Sequence, residues 1–345
     1  MSADYDHQLD PRVRAFIAEN PEVAGPDFDS REALLADWAS PDGLWRQAQM
    51  KAFMDTGDDE TVAPSAGLTI TTRDVVSAPD GNVIRLQVIR PDTDETLPGV
   101  YYIHGGGMAF LSCYYGNYRA WGRLVAAQGA VVVMVDYRNS VAPSSVPELA
   151  PFPGGLHDCL SGLRWTHEHA GELGLDPARV VVTGESGGGN LTLATGMSLV
   201  RSGEVDLASG LYAFCPFIAG RWPDDRYPSS REYFDLLGDV GSNQDVVGYG
   251  VDALERGDPL AWPGFATTSD VAGLPPTVIS VNECDPLRDE GIAFYRLLLA
   301  AGVSARARVV LGTMHATEQF PTICPEISRD AARDLAAFAR GNVAS

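Results

Sequence analysis

Lysine is nearly absent from this chain. Lys51 stands alone among 25 basic residues, against 46 acidic ones, and the formal net charge is −21. So acidic a protein is a poor partner for nucleic acid or an anionic membrane, since both are bound through cationic faces. Long apolar runs are missing as well; none approaches the roughly 18 residues of a membrane span. Met1–Asp10 is acidic and has no apolar core, so no secretory signal is expected and a cytoplasmic location is. Cysteine is sparse: Cys113, Cys159, Cys215, Cys284 and Cys324 are scattered, odd in number and free of any CxxC pair. They read as reduced, mostly buried thiols rather than a disulfide framework or a zinc site. His157, His167 and His169 fall in one predicted helix at spacings that share no face. No metal and no cofactor are therefore expected. Repeats and low-complexity tracts are absent.

What is present is ample core. The chain has 345 residues, 45% hydrophobic and 21% charged, as in soluble globular proteins. Residues 1–65 show helix-like apolar spacing broken by prolines, which predicts several short helices. Strands are predicted at 68–78 and 83–90, joined by the hairpin signal Pro79-Asp80-Gly81-Asn82. The unbroken apolar runs 100–103, 131–135 and 180–182 suit strands buried on both faces, as in a parallel sheet. Further strands fit 210–215, 276–282 and 306–311, with helices at 117–128, 155–170, 288–301 and 326–340 between and after them. The alternation predicts an α/β fold. Residues 216–268 interrupt it with aromatics, proline and charge, and are longer than a connection needs. The expected division is a catalytic core at 66–215 and 269–345, with a cap built from 1–65 and from the insertion 216–268.

The chemistry is concentrated around Gly184-Glu185-Ser186-Gly187-Gly188. A β-branched run leads into Gly-x-Ser-x-Gly and a helical stretch follows, which predicts a strand, a sharp turn and a helix with Ser186 at the apex. A serine hydroxyl becomes a useful nucleophile when such a turn lifts it toward a base and toward free N–H groups. Among the six histidines, His315 follows the last predicted strand, where a loop could bring it to the serine. Asp285 ends the strand before it and is the candidate to orient the imidazole, although its place also suits a helix cap. Asp289 and Glu290 fall in the first turn of the next helix, where acids favour the macrodipole. After the strand 100–103 comes His104-Gly105-Gly106-Gly107, a loop whose bare amides can point into a cavity. The Gly187 amide completes that group, and His104 reads as a structural residue of the loop.

These stretches together, with Asp136-Tyr137-Arg138 and Asp285-Pro286-Leu287-Arg288-Asp289-Glu290, resemble the bacterial hormone-sensitive-lipase-like esterases, a branch of the α/β-hydrolases. The likeness spans about residues 97–340. It implies an α/β-hydrolase fold with a central, mostly parallel eight-stranded sheet, helices on both faces and a helical cap. It implies a metal-independent serine carboxylesterase with the triad Ser186, Asp285 and His315, in the chain order of that fold, and an oxyanion hole from Gly106, Gly107 and Gly187. The family often forms homodimers. Three departures stand out: Glu185 replaces the usual Asp or Thr, Gly187 replaces Ala and is expected to loosen the elbow, and Met108 replaces an aromatic. A longer, proline-rich loop, 139–153, also follows Arg138. Met108, Trp222, Tyr233 and Phe234 are the candidate substrate contacts. The expected substrate is a short-chain or compact aromatic ester. The alternatives are an amidase or carbamate hydrolase using the same triad, and a non-catalytic ligand receptor on the same fold.

Overall fold

Every residue of β3 (Leu97–Ile103) and β4 (Val131–Asp136) is buried. Unbroken apolar runs do this when helices cover both faces of a sheet. The computed structural model describes residues 7–21 and 24–341. Met1–Asp6, most of the stretch read as a non-secretory N-terminus, lie outside the described residues.

Eight strands form one sheet in the order β1-β2-β4-β3-β5-β6-β7-β8. The others are β1 (Leu68–Val76), β2 (Val83–Pro91), β5 (Leu175–Glu185), β6 (Gly210–Phe214), β7 (Thr277–Cys284) and β8 (Ala305–Met314). β2 is antiparallel to both its neighbours, and all other pairings are parallel. The hairpin forms where Pro79–Asn82 predicts it, closed by Ser77 N–H to Asn82 O at 2.8 Å.

Side-chain alternation divides the core into two layers. Val131, Val133 and Val135 face Leu156, Leu163, Leu191 and Leu193 on helices Gly154–Glu168 and Gly187–Ser202. Val132 and Met134 face Trp121, Leu124 and Leu335 on helices Gly116–Ala126 and Pro325–Ala339. Because β3 through β8 run parallel, the residues after them emerge along one edge of the sheet. That edge collects His104, Ser186, Cys215, Asp285 and His315.

The segment between β6 and β7 holds short helices, among them Ser229–Glu232, Gln244–Tyr249 and Val251–Glu255. It packs on the N-terminal helices Pro11–Glu19, Arg31–Trp38 and Pro41–Asp55. Trp38 Nε1 donates to Gln244 Oε1 at 3.0 Å, and Tyr233 Oη donates to Gln8 Oε1 at 2.7 Å. Leu34 packs with Val247, Val141 and Ala109, so this layer reaches the loop that follows β3. Among the described residues no helix is long and apolar enough to cross a membrane.

Candidate active site

Ser186 sits between β5 and helix Gly187–Ser202 with φ +55° and ψ −120°. A non-glycine residue there is strained and persists only where its surroundings over-determine it. Three backbone hydrogen bonds do so: Ser186 N–H to Phe214 O (3.0 Å), Phe217 N–H to Ser186 O (3.0 Å) and Asn190 N–H to Ser186 O (2.9 Å). The first two tie the elbow to the chain around Cys215, at the end of β6.

His315 follows β8 and Asp285 follows β7. Their side chains meet at 2.8 Å, Nδ1 to Oδ2. The carboxylate only accepts, so it fixes the ring proton on Nδ1 and leaves the Nε2 lone pair free. The other carboxylate oxygen, Oδ1, accepts from Leu287 N–H at 2.8 Å. Asp285 therefore closes the turn that leads into helix Arg288–Ala300 with one oxygen and orients the imidazole with the other; it is not the cap of that helix. Burial alone would push the imidazole pKa down, but the fully buried Asp285 and, next, Cys215 override it and hold the pKa well above its usual value. The side chain of His315 keeps 10% of its surface open to solvent.

The loop after β3 closes over the elbow. Gly106 O accepts from Ala109 N–H at 2.8 Å and Phe110 N–H at 3.1 Å, making a tight turn. Gly107 has φ +59°, and a Cβ on it would lie 2.6 Å from the Asp245 carboxylate carbon, so no side chain fits. A Cβ on Gly187 would lie 2.6 Å from Met108 N and 2.9 Å from Gly107 N. The extra glycine lets the elbow and the amide-bearing loop touch. Loop 139–153 braces this turn: Ser140 N–H reaches Met108 O and Val141 N–H reaches Ala109 O, at 2.9 and 3.0 Å. Asp136 accepts from Cys113 N–H and Ser145 N–H, joining the same two loops. His104 is fully buried, stacked on Tyr137 at 4.3 Å, with Nδ1 at 3.0 Å from Gly105 O, in the structural place expected of it.

Glu185 carries a role that sequence reasoning missed. Its carboxyl is buried beneath the loop and accepts from Gly105 N–H (2.6 Å), Tyr118 Oη (2.7 Å) and Tyr102 Oη. Burial, only partly offset by these donors, raises its pKa to about 7. Glu290 lies in the first turn of helix Arg288–Ala300, where an acid favours the macrodipole. It is buried, accepting from Ile218 N–H, Ala219 N–H and Trp222 Nε1, and burial lifts its pKa to about 8. Asp289 binds Ser229 N–H at 2.8 Å and does not reach His315's partner position.

Of the expected substrate contacts, Met108 is buried, with φ +58°, against Gly187. Trp222 stacks on Phe217 at 4.0 Å and spends its N–H on Glu290. Tyr233 is 1% exposed and bonded to Gln8. Met108 thus lies where the glycine loop meets the elbow, while Trp222 and Tyr233 are held by neighbours within the segment between β6 and β7 and the N-terminal segment. Phe234 borders a cavity of about 320 Å³ with Ile17 and Leu237. A second cavity, about 280 Å³, lies beside the loop after β3, between Trp38, Met50, Phe110, Leu111 and Asp245. Neither is lined by Ser186 or His315. Cys215 is the other residue the sequence left unmarked. Its thiol, the His315 ring and the Asp285 carboxylate offer ligand atoms within 4.8 Å of one another. The signal was its place at a predicted strand end, on the same edge as the serine.

An α/β-hydrolase-fold family model matches residues 100–319. Carboxylesterase NlhH of Mycobacterium tuberculosis is 34% identical over 253 residues, covering 72% of this chain and 76% of that protein. The structure of esterase Est22 with p-nitrophenol superposes with a TM-score of 0.95 at 55% identity, covering 97% of this chain and 98% of that one. Brefeldin A esterase, titled a bacterial homologue of human hormone-sensitive lipase, gives a TM-score of 0.85 at 35% identity, covering 97% and 94%.

Proposed function

The chain belongs to the hormone-sensitive-lipase-like esterases of the α/β-hydrolase fold and is a serine carboxylesterase; from that premise we propose that Ser186, His315 and Asp285 perform the hydrolysis, with the amides of Gly106, Gly107 and Gly187 as oxyanion donors. The observation that carries this reading is the 2.8 Å His315–Asp285 hydrogen bond on the same sheet edge as a serine pinned at φ +55°.

In acylation, Ser186 Oγ attacks the acyl carbon and its proton passes to His315 Nε2. Asp285 stabilises the imidazolium that forms. The tetrahedral oxyanion lies against the amides where the loop meets Gly187; one such donor is typically worth about 3 kcal/mol of transition-state stabilisation. His315 then delivers its proton to the leaving alcohol as the carbon–oxygen bond breaks. Water repeats the sequence on the acyl-enzyme and restores the hydroxyl.

The substrate is a small soluble ester with a short acyl chain or a compact aromatic group. The described helices of the two cap segments have 15 residues or fewer, and none is the long, strongly apolar amphipathic helix that inserts into a lipid interface. Residues 7–65 and 216–268 act as the cap over the site, and the cytoplasm is the working compartment. An amidase reading gains no support from any residue here, and a receptor would not need the intact His315–Asp285 pair. Ser186→Ala tests the assignment: turnover of p-nitrophenyl butyrate should vanish while the circular dichroism spectrum stays unchanged. Near-full activity in that variant would overturn it.

A further inference from the structure

We propose that Cys215, His315 and Asp285 form a site for a thiophilic divalent cation, Zn²⁺ or Cd²⁺, whose occupancy switches the esterase off. The binding claim rests on the side chains alone; the loss of activity rests on the triad reading above.

Among the described residues this is the one grouping of histidine, cysteine and carboxylate whose ligand atoms lie within 4.8 Å of one another. A tetrahedral zinc ion, with bonds of about 2.0 to 2.3 Å, needs such atoms roughly 3.3 to 3.6 Å apart. From the 4.8 Å limit, side-chain rotations need to bring the atoms together by about 1.2 to 1.5 Å. The backbone holds the sulfur in place: Cys215 has φ +31° and its N–H bonds Ser280 O at 2.7 Å. The donor set, one thiolate sulfur, one imidazole and one carboxylate, is that of a borderline-soft cation and not of Mg²⁺ or Ca²⁺. One thiolate and one carboxylate neutralise the dication. His315 is reached from solvent through its open edge, which leaves a fourth position for water.

Binding displaces the thiol proton to solvent as the sulfur–metal bond forms, and nothing is oxidised or reduced. The imidazole then fails as a base by either route. A metal on Nδ1 forces the ring proton onto Nε2; a metal on Nε2 takes the lone pair itself. The cation is thus an inhibitor and not a cofactor, and a chelator leaves the metal-free enzyme unaffected.

The test is a titration of the purified, metal-free full chain with Co²⁺. The expected result is one equivalent bound, with a thiolate-to-cobalt charge-transfer band in the near ultraviolet and tetrahedral bands in the visible. Zn²⁺ should displace the cobalt. At about ten times its dissociation constant, Zn²⁺ should cut ester hydrolysis about tenfold, reversibly with EDTA. Cys215→Ser, checked for folding by its melting curve, should abolish the charge-transfer band. It should also weaken zinc inhibition by about 100-fold or more, since even outer-shell partners cost 10- to 100-fold. Asp285→Asn, a second variant that leaves the sulfur in place, should weaken cobalt binding while retaining a sulfur band. No charge-transfer band in the wild type, or an unchanged one in Cys215→Ser, overturns the site. A band with no inhibition keeps the site and refutes His315 as the base.

Discussion

Replacing Glu185 by glutamine should make the protein more stable, and only at high pH. The Glu185 carboxyl is fully buried, no cation among the described residues offsets that burial, and its pKa rises from 4.5 to about 7 in the fold. The folded protein therefore binds this proton more tightly than the unfolded chain does. The favourable contribution is complete below the unfolded value, near pH 4.5, and is lost as pH climbs through about 7. At about 1.4 kcal/mol per pKa unit, the ionised form costs about 3 kcal/mol of stability at pH 8. Glutamine is neutral throughout, and its carbonyl oxygen can keep the bond from Gly105 N–H that the carboxylate makes at 2.6 Å. The same oxygen keeps the bond from Tyr118 Oη, and the amide nitrogen faces the Tyr102 hydroxyl, which can turn to accept. We expect wild type and Glu185→Gln to unfold within about 1 kcal/mol of each other at pH 5. At pH 8 the variant should lead by about 2 to 3 kcal/mol, or about 3 to 4 °C in melting temperature for a chain of this size. Urea unfolding across this pH range measures it, and contributions from every other titrating group cancel in the difference. A gap independent of pH, or one that grows in favour of the wild type toward alkaline pH, would refute the reasoning.

Asp285→Asn should lower kcat by about 10⁴, because an amide can present N–H to Nδ1 and select the wrong imidazole tautomer. Asp289→Asn should be mild, since Asp289 anchors Ser229 and not the imidazole; a crippling Asp289→Asn would reverse the assignment. The raised pKa of His315 keeps the imidazole protonated to higher pH than usual, so kcat/KM should fall as pH drops through a value above about 6.5. A rate maximal near pH 4 would point away from histidine. Soluble butyrate esters should be turned over faster than emulsified long-chain triglyceride; a rate jump at the emulsion boundary would mean a lipase.

Much of the frame was legible in the residues. Valine runs at 131–135 and 180–182 marked the buried strands because an apolar side chain on both faces leaves a strand nowhere else to go. The serine elbow was readable from Gly184 to Gly188, and His315 and Asp285 from their places at strand ends, since a parallel sheet delivers strand ends to one edge. The neighbours of the proposed substrate contacts were not legible. Trp222 and Tyr233 have the composition of a pocket wall, yet Trp222 stacks on Phe217 and serves Glu290, and Tyr233 is buried on the N-terminal segment. Composition does not say which face of a ring is already occupied.

Periodicity and local motif thus determined the α/β order, the nucleophile turn and the triad candidates, because these depend on neighbours along the chain and on a sheet topology with few solutions. Tertiary structure alone decided the rest. Glu185 became a buried brace because β5 carries it beneath the loop after β3, where three donors and, among the described residues, no cation await it. Gly187 proved a point of contact because that loop descends onto the elbow. Cys215, one of five scattered thiols in sequence, came against His315 because β6 lies beside both β5 and β7. Each depends on distances between strands far apart in the chain, which only the closed sheet sets.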